Sequence, residues 1–150
     1  MDKIEIYTDG AAKGNPGPGG YGVILRFGRL EKELSQGFYH TTNNRMELLA
    51  VIVGLETLKK KGNTVSIYSD SKYVVDPVNK KWLDQWQKKS WSKVKNIDLW
   101  KRLLTALRDQ KVSFFWIKGH NEHPENERCD QLAVMASKSP TLEDRGYLKD

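Results

Sequence analysis

Four carboxylates in this chain have the residue type and placement that metal-dependent chemistry requires. Asp9 ends an alternating run and precedes Gly10, and Glu47 lies in the first turn of a predicted helix. Asp70 follows a short apolar run, and Asp130 lies early in a predicted last helix. Clustered carboxylates repel one another and need cations, and ligation by oxygen alone suits Mg²⁺ or Mn²⁺. The four acids are therefore our candidates for one divalent-metal site.

Each acid also has an ordinary structural interpretation. Glu47 fits a capping box with Asn44, and Asp70 fits the N-cap of the helix that follows it. Asp130 is placed to pair with Arg128 or a nearby lysine. Asp9 is the hardest to explain in this way, because an Asp-Gly pair usually marks a hairpin and no strand follows at once.

A zinc site is a further alternative for the last third of the chain. His120, His123 and Cys129 have suitable residue types for zinc. No fourth soft ligand lies nearby in the sequence, which disfavours this site. We interpret His123 as structural and Cys129 as a small core residue.

The positive charge is concentrated in one segment, residues 80–102, which we call the basic segment. It holds eight Lys or Arg against two Asp, and this local excess of +6 equals the net charge of the chain. It also holds four of the five tryptophans, namely Trp82, Trp86, Trp91 and Trp100. Cations attract phosphates and flat rings pack on sugars and bases, which favours a nucleic-acid partner. A helix pair with core tryptophans and water-facing lysines explains the same pattern equally well.

Length and composition limit the remaining classes. The chain has 150 residues, of which 38% are hydrophobic, which fits one globular domain and neither a disordered nor a membrane-spanning chain. No long apolar run follows Met1, so we expect no secretory signal. The single cysteine excludes an internal disulfide framework and suits a reducing compartment. We therefore expect a single domain over residues 1–150, located in the cytoplasm.

The elements that must position the acids follow from hydropathy and turn signals. Strands are predicted from Ile4 to Thr8, in a hairpin over 21–27 and 30–40, and over 65–68 and 112–117. Helices are predicted over 43–60, after Asp70, over 80–93 and 97–109, and from Pro124. Residues 141–150 are predicted to be an irregular tail. A strand–helix–strand order favours parallel pairing, which would bring Asp9 and Asp70 to one edge of a mixed sheet.

Short motifs in a fixed order then carry a family resemblance. The motifs are Tyr7-Thr8-Asp9-Gly10, Gly14-Asn15-Pro16-Gly17, Thr41-Thr42-Asn43-Asn44-Arg45-Met46-Glu47, Tyr68-Ser69-Asp70-Ser71, Lys118-Gly119-His120 and Asn126-Glu127-Arg128-Cys129-Asp130. Together they closely resemble type 1 ribonuclease H, especially the bacterial enzymes. The resemblance runs from about Ile4 to Tyr147, essentially the whole chain.

The resemblance implies both a fold and a chemistry. The fold is α/β, a ribonuclease H-like mixed five-stranded sheet in the order 3-2-1-4-5 flanked by helices. Family members cut the RNA strand of RNA–DNA hybrids and leave 5′-phosphate and 3′-hydroxyl ends. The family's acidic quartet falls on Asp9, Glu47, Asp70 and Asp130, which would hold two Mg²⁺ ions, with Mn²⁺ as an alternative ion.

The same resemblance gives each catalytic residue a separate role. Asp9 would bridge the two ions, and Asp130 would help hold the ion that activates water. Glu47 and Asp70 would hold the ion that faces the leaving oxygen. His120 matches the loop histidine of the family, and we expect it to handle a proton or to help the product leave.

Residues outside the quartet are implied to contact the nucleic acid. Asn15, Asn43 and Asn44 match residues of the minor-groove side. Thr42 and Asn96 match part of a phosphate pocket for the DNA strand. His40 stands where the family often has Arg, which is expected to weaken that pocket. Lys72 replaces the glutamine usual in close bacterial relatives and adds a charge beside Asp70.

The basic segment matches the family's basic protrusion, which grips the hybrid. Between Trp91 and Val94 this chain is several residues shorter than relatives with a long protrusion. We expect binding to persist because most of the cations remain. The predicted contacts here are Lys80, Lys81, Trp82, Trp86, Lys88 and Lys89, and residues 139–150 are predicted to form a C-terminal tail.

Three rival functions remain at this stage. A transposase-like or junction-resolving nuclease is disfavoured by the asparagine pair and the basic segment. A non-catalytic hybrid-binding module is disfavoured by the intact quartet. A metal-binding protein without a nucleic-acid partner is disfavoured by the segregated charge. We expect a monomer that acts on the hybrid without a membrane or an obligate protein partner.

Overall fold

The computed structural model describes residues 3–118 and 123–148, which form a mixed sheet flanked by helices. The strands are β1 (Lys3–Ala12), β2 (Gly17–Phe27), β3 (Leu30–Thr41), β4 (Thr64–Ser69) and β5 (Lys111–Trp116). The helices are α1 (Asn43–Glu56), α2 (Lys72–Asn79), α3 (Trp82–Lys88), α4 (Ile97–Arg108), α5 (Pro124–Lys138) and α6 (Arg145–Leu148). No helix within the described ranges is long and apolar enough to cross a membrane.

The five strands are ordered β3-β2-β1-β4-β5, which confirms the predicted fold. β1 pairs antiparallel with β2 and parallel with β4. The parallel pairing ends at Tyr7 and Tyr68, whereas the pairing with β2 continues to Ala12. The prediction that Asp9 closes the first strand is therefore wrong. Asp9 lies within β1, where the sheet loses one neighbour and opens a cleft.

Helix α1 lies at the centre of the core and is buried on more than one face. Leu48, Val51 and Ile52 are as fully buried as Met46 and Ala50. The helix packs on β1 and β2 and is covered by α4. A helix that is apolar on all sides is expected to be buried on all sides.

Helix α5 covers the opposite face of the sheet at very short range. A Cβ at Gly22 would clash with the backbone of Cys129, so only glycine allows this approach. Cys129 is buried there against Tyr7 and Ile24, and burial raises the pKa of its thiol. This agrees with its interpretation as a small core residue.

Several predicted boundaries are corrected. Helix α1 ends at Glu56 rather than near Lys60, because the Thr57 hydroxyl donates to the Val53 carbonyl and Leu58 tightens the last turn. The helix predicted over 80–93 is limited to α3, since Lys81 and Ser90 adopt positive φ on either side of it. The tail is not irregular up to residue 148.

The C-terminal segment is fastened at two points. The Tyr39 amide donates to the Leu142 carbonyl at 2.9 Å, which places the segment beside β3. Asp144 is buried, and its carboxylate accepts from the Thr41 hydroxyl at 2.6 Å. The short helix α6 follows. Tertiary contacts therefore order a segment whose own sequence shows no periodic pattern.

Candidate active site

Three of the four predicted acids meet at the cleft where β1 and β4 separate. Asp9, Glu47 and Asp70 each offer a carboxylate oxygen, and these atoms all lie within 4.8 Å of one another. Asp9 and Glu47 are buried, whereas Asp70 is half-buried. We call these three residues the acidic cluster.

Close packing of α1 on β1 brings Glu47 to Asp9. Gly10 lies directly against the backbone of Met46 and Glu47, and a Cβ at Gly10 would clash with it. The Gly10 amide also donates to Asp9 Oδ1 at 2.9 Å. The Asp-Gly pair is therefore explained by a helix contact and not by a hairpin.

Asp130 lies on α5, which packs on β1, β2 and β3. It is exposed, and among the described residues it is not part of the group within 4.8 Å. Its charge nevertheless contributes to raising the pKa of Asp9, so it lies within electrostatic range of the cluster. The structure thus brings three acids together and leaves the fourth beside them.

The electrostatics of the acidic cluster favour the binding of a positive charge. Burial and the charge of Asp70 raise the pKa of Asp9 to about 7. Burial, followed by the charges of Asp9 and Asp70, raises the pKa of Glu47 as well. Glu47 Oε1 is buried without a hydrogen-bond partner. An unpartnered buried oxygen between repelling carboxylates fits a bound cation.

The ordinary interpretations of three acids do not hold in the structure. Thr42 is the N-cap of α1 and accepts from the Arg45 amide at 3.2 Å, so Glu47 lies beyond the capping position. Ser71 rather than Asp70 is the N-cap of α2. Arg128 pairs with Glu31 and Glu33 on β3 and not with Asp130.

Four of the residues predicted to contact nucleic acid line one surface cavity of about 780 Å³. They are Asn15, Thr42, Asn44 and Asn96. The backbone N–H of Asn43 donates to Asn15 Oδ1 at 3.0 Å, which places Asn43 beside the same cavity. The exposed ring of His40 lies 5.5 Å from the ring of Tyr147, which also lines the cavity.

A buried ionic network beneath this cavity was not predicted from the sequence. Arg45 is 1% exposed, and its guanidinium donates to Asp144 and Asp98 at 2.7 Å each. It also donates to Asn96 Oδ1 at 3.2 Å, while Asn96 Nδ2 donates to the Tyr73 hydroxyl at 2.7 Å. The network fixes the Asn96 side chain and joins α1, α4 and the C-terminal segment. An arginine shortly before the long apolar run of α1 was the available signal, since a buried guanidinium requires partners.

The basic segment combines core tryptophans with exposed lysines. Trp86 packs edge-on against the fully buried Trp100 at 5.2 Å, and Trp91 lies 6.5 Å from Trp86. Trp82 is exposed and carries the Lys80 ammonium 5.5 Å from its ring centre. Lys80, Lys81, Lys88 and Lys89 are all exposed. The core interpretation therefore holds for three tryptophans, and the exposed cations remain available to a polyanion.

The structure describes two of the three remaining residues to which the sequence points, Lys72 and His123. Lys72 is exposed at the start of α2, and its ammonium lies 4.6 Å from the centre of the Trp116 ring. His120 lies outside the described residues. His123 is the N-cap of α5, without a side-chain capping bond.

Comparison of the sequence with known proteins identifies the family to which it is similar. The profile of the family described as RNase H matches residues 1–138. Ribonuclease H of Desulforamulus reducens is 56% identical over 147 residues, covering 95% of this chain and 92% of the relative. Ribonuclease H of Proteus mirabilis is 53% identical over 152 residues, covering 98% and 94%.

Solved structures give the same result for the fold. The crystal structure of LC9-RNase H1, a type 1 RNase H with the type 2 active-site motif, matches with a TM-score of 0.84 at 28% identity. The match covers 94% of this chain and 74% of that one. LC11-RNase H1 in complex with an RNA/DNA hybrid matches with a TM-score of 0.65 at 28% identity, covering 90% and 96%.

Proposed function

Since the chain belongs to the ribonuclease H family and is an RNA–DNA hybrid ribonuclease, we propose that it cuts the RNA strand with two divalent cations held by its acidic residues. The products would carry 5′-phosphate and 3′-hydroxyl ends. One observation carries this proposal. Three carboxylates from separate parts of the fold meet within 4.8 Å, and one of the two buried ones, Glu47, has an oxygen without a hydrogen-bond partner.

The donor set fits a hard divalent cation. The available ligand atoms are carboxylate oxygens, which Mg²⁺ and Mn²⁺ both accept. We propose that Asp9, Glu47, Asp70 and Asp130 hold two Mg²⁺ ions together with the substrate. Bound there, the ions would supply positive charge to the reacting phosphate and lower the pKa of an attacking water.

The four acids and His120 would have separate roles in holding the ions and in moving a proton or releasing the product. Asp9 would help to hold both ions, because it lies within 4.8 Å of the carboxylates of Glu47 and Asp70 and within electrostatic range of Asp130. Glu47 and Asp70 would serve the side of the leaving oxygen, and Asp130 the side of the attacking water. His120 would carry a proton or assist product release, which is a contribution of about 10²–10⁴-fold for a positioned acid or base.

Recognition of the hybrid would use the 780 Å³ cavity and the exposed cations of the basic segment, which adjoin because Lys95 and Asn96 of that segment line the cavity. Asn15, Asn43 and Asn44 would contact the minor groove, where 2′-hydroxyls distinguish RNA from DNA. Thr42, Asn96 and His40 would contact a phosphate of the DNA strand, in and beside the 780 Å³ cavity. The exposed lysines of the basic segment, with Trp82, would bind further phosphates without reading sequence. We expect the chain to act as a monomer in the cytoplasm.

Cleavage of defined duplexes tests the proposal. Labelled RNA–DNA hybrid, duplex DNA and duplex RNA are incubated with the protein, with and without Mg²⁺. We expect cleavage of the RNA strand of the hybrid alone, only with the ion, and products sensitive to an exonuclease that requires a 5′-phosphate. Asp109→Asn, which removes an exposed acid away from the cleft, is the matched control for Asp9→Asn. Binding without cleavage would instead support a non-catalytic hybrid-binding module.

A further inference from the structure

Trp116 is a large exposed side chain at the rim of the acidic cluster, and no role for it follows from the sequence analysis. It is the last residue of the edge strand β5 and is 44% exposed. Its indole N–H donates to the backbone carbonyl of Asp70 at 3.1 Å. An exposed tryptophan that gives its only polar atom to a member of the acidic cluster is held in one orientation.

Asp70 has less backbone support than the other two acids of the cluster. Asp9 lies within β1 and faces Gly22 of β2, and Glu47 lies in the buried helix α1. Asp70 instead lies in the two-residue connection between β4 and α2. Its backbone lies outside both regular elements, where a side-chain bond to its carbonyl helps to fix it.

The Trp116 indole bond lies just beyond the end of the β4–β5 ladder. Ser69 and Trp116 are the last paired residues, and the Ile117 amide donates to the Ser69 carbonyl at 2.9 Å. Asp70 directly follows β4, and its carbonyl accepts from the Trp116 side chain. The bond thus joins the end of the edge strand to the residue that carries the carboxylate.

Lys72 braces the ring from its face. Its ammonium lies 4.6 Å from the ring centre, within the range of a cation–π contact. The indole is therefore held by a bond at its edge and a charge on its face. Both contacts come from the two residues that flank Ser71.

We propose that Trp116 is a positioning residue that fixes the backbone of Asp70 and thereby sets the metal affinity of the acidic cluster. The proposal rests on the proposed function, because Asp70 needs this precision only as a metal ligand. Residues that orient metal ligands typically change metal affinity by about 10–100-fold when they are removed. A single bond to a carbonyl places Trp116 at the lower end of that range.

Mn²⁺ affinity, measured by calorimetry without nucleic acid, tests the role of the indole N–H. Trp116→Phe keeps an aromatic ring and removes the donor, and we expect Mn²⁺ to bind about ten-fold more weakly. Trp82→Phe is the matched control for affinity, since Trp82 is also exposed beneath a lysine but has no bond to the cluster. Equal affinity of Trp116→Phe and wild type, or an equal loss in both variants, would overturn the proposal.

A double-mutant cycle separates the indole bond from the charge of Lys72. If the N–H carries the effect, Trp116→Phe weakens Mn²⁺ binding by the same factor in the wild-type and Lys72→Gln backgrounds. A loss that disappears in the Lys72→Gln background would overturn the proposal. Thermal unfolding of each variant verifies that the fold persists.

The indole resonance of Trp116 in the wild-type protein gives a test that needs no substitution. During a Mg²⁺ titration, we expect this resonance to shift with the midpoint of metal binding while that of Trp82 does not. An unmoved Trp116 resonance would count against the proposal.

The proposed function and the proposed role of Trp116 fail in different ways. A protein that binds Mn²⁺ but does not cleave hybrids contradicts the proposed function, and the affinity comparison still decides the role of Trp116.

Discussion

The acidic cluster and the basic segment differ in how firmly the fold holds their charged side chains. In the cluster, Asp9 and Glu47 are 6% and 7% exposed and are placed by a strand and a helix in direct backbone contact. In the basic segment, the lysines are exposed and helix α3 has only 7 residues. Metal ligation requires carboxylates fixed to within a fraction of an ångström, whereas phosphate contacts tolerate movement.

The backbone shows the same difference. Among the described residues, every non-glycine residue with positive φ lies in the basic segment, and these residues are Lys81, Ser90, Trp91, Lys93 and Asn96. A left-handed conformation costs roughly 1–2 kcal/mol per residue. The packed rings of Trp86, Trp91 and Trp100 and the Arg45 network stabilise this path. The buried side of the segment is therefore fixed by packing, and its exposed side carries the charged side chains.

Removal of one charge from the cluster should have the largest effect. We expect Asp9→Asn to abolish nearly all cleavage while leaving the fold intact or more stable, because it removes repulsion and a proposed bridging ligand together. Turnover with Mg²⁺ and thermal unfolding measure the two parts. Activity near that of wild type would contradict the assignment of the cluster as the catalytic centre.

His120→Ala should have a smaller effect than Asp9→Asn. A proton carrier contributes about 10²–10⁴-fold, whereas the cluster would support both the attacking and the leaving oxygen. Single-turnover rates of the two variants measure the difference, with His123→Ala as the neighbouring control. If His120→Ala and Asp9→Asn were equally inactive, His120 would need a metal-binding or structural role.

Replacing Lys80, Lys81, Lys88 and Lys89 with alanine should weaken binding and leave kcat nearly unchanged. The loss is of uniform binding, so KM should rise. Each lost phosphate contact should also flatten the salt dependence of log affinity by about 0.9, the value for B-form duplex. Alanine at the exposed lysines 59–61 is the control from outside the segment. An unchanged KM and salt slope would mean that the four lysines only face solvent.

The smallest expected effect is a pH dependence of the free energy of unfolding that arises from the acidic cluster. Without metal, the pKa of Asp9 is about 7 in the folded protein and near 4 when unfolded, so the folded state binds more protons between these values. The free energy of unfolding should therefore fall as pH rises from about 4 to 7, and less steeply in Asp9→Asn. Denaturation with a chelator across this range measures the difference. Identical slopes in the two proteins would contradict the raised pKa.

The sequence alone predicted a mixed sheet with helices, and its family resemblance implied the strand order and four candidate acids, three of which the structure brings together. Periodic hydropathy fixes strands and helices locally, and the order of the motifs carries the family resemblance. The sequence also separated the charge, because the excess of +6 lies within residues 80–102. These features survive because each depends on residues close together in the chain or on residue type alone.

Only the tertiary structure decided which interpretation of each residue holds. Whether Glu47 caps its helix or faces Asp9 depends on the N-cap at Thr42 and on the close packing against Gly10. Order in the C-terminal segment depends on Arg45, which lies 99 residues from its partner Asp144. Such contacts join side chains that are distant in the chain, and local periodicity carries no information about them. The placement of Trp116 against Asp70 is of the same kind, since it exists only where β5 lies beside β4.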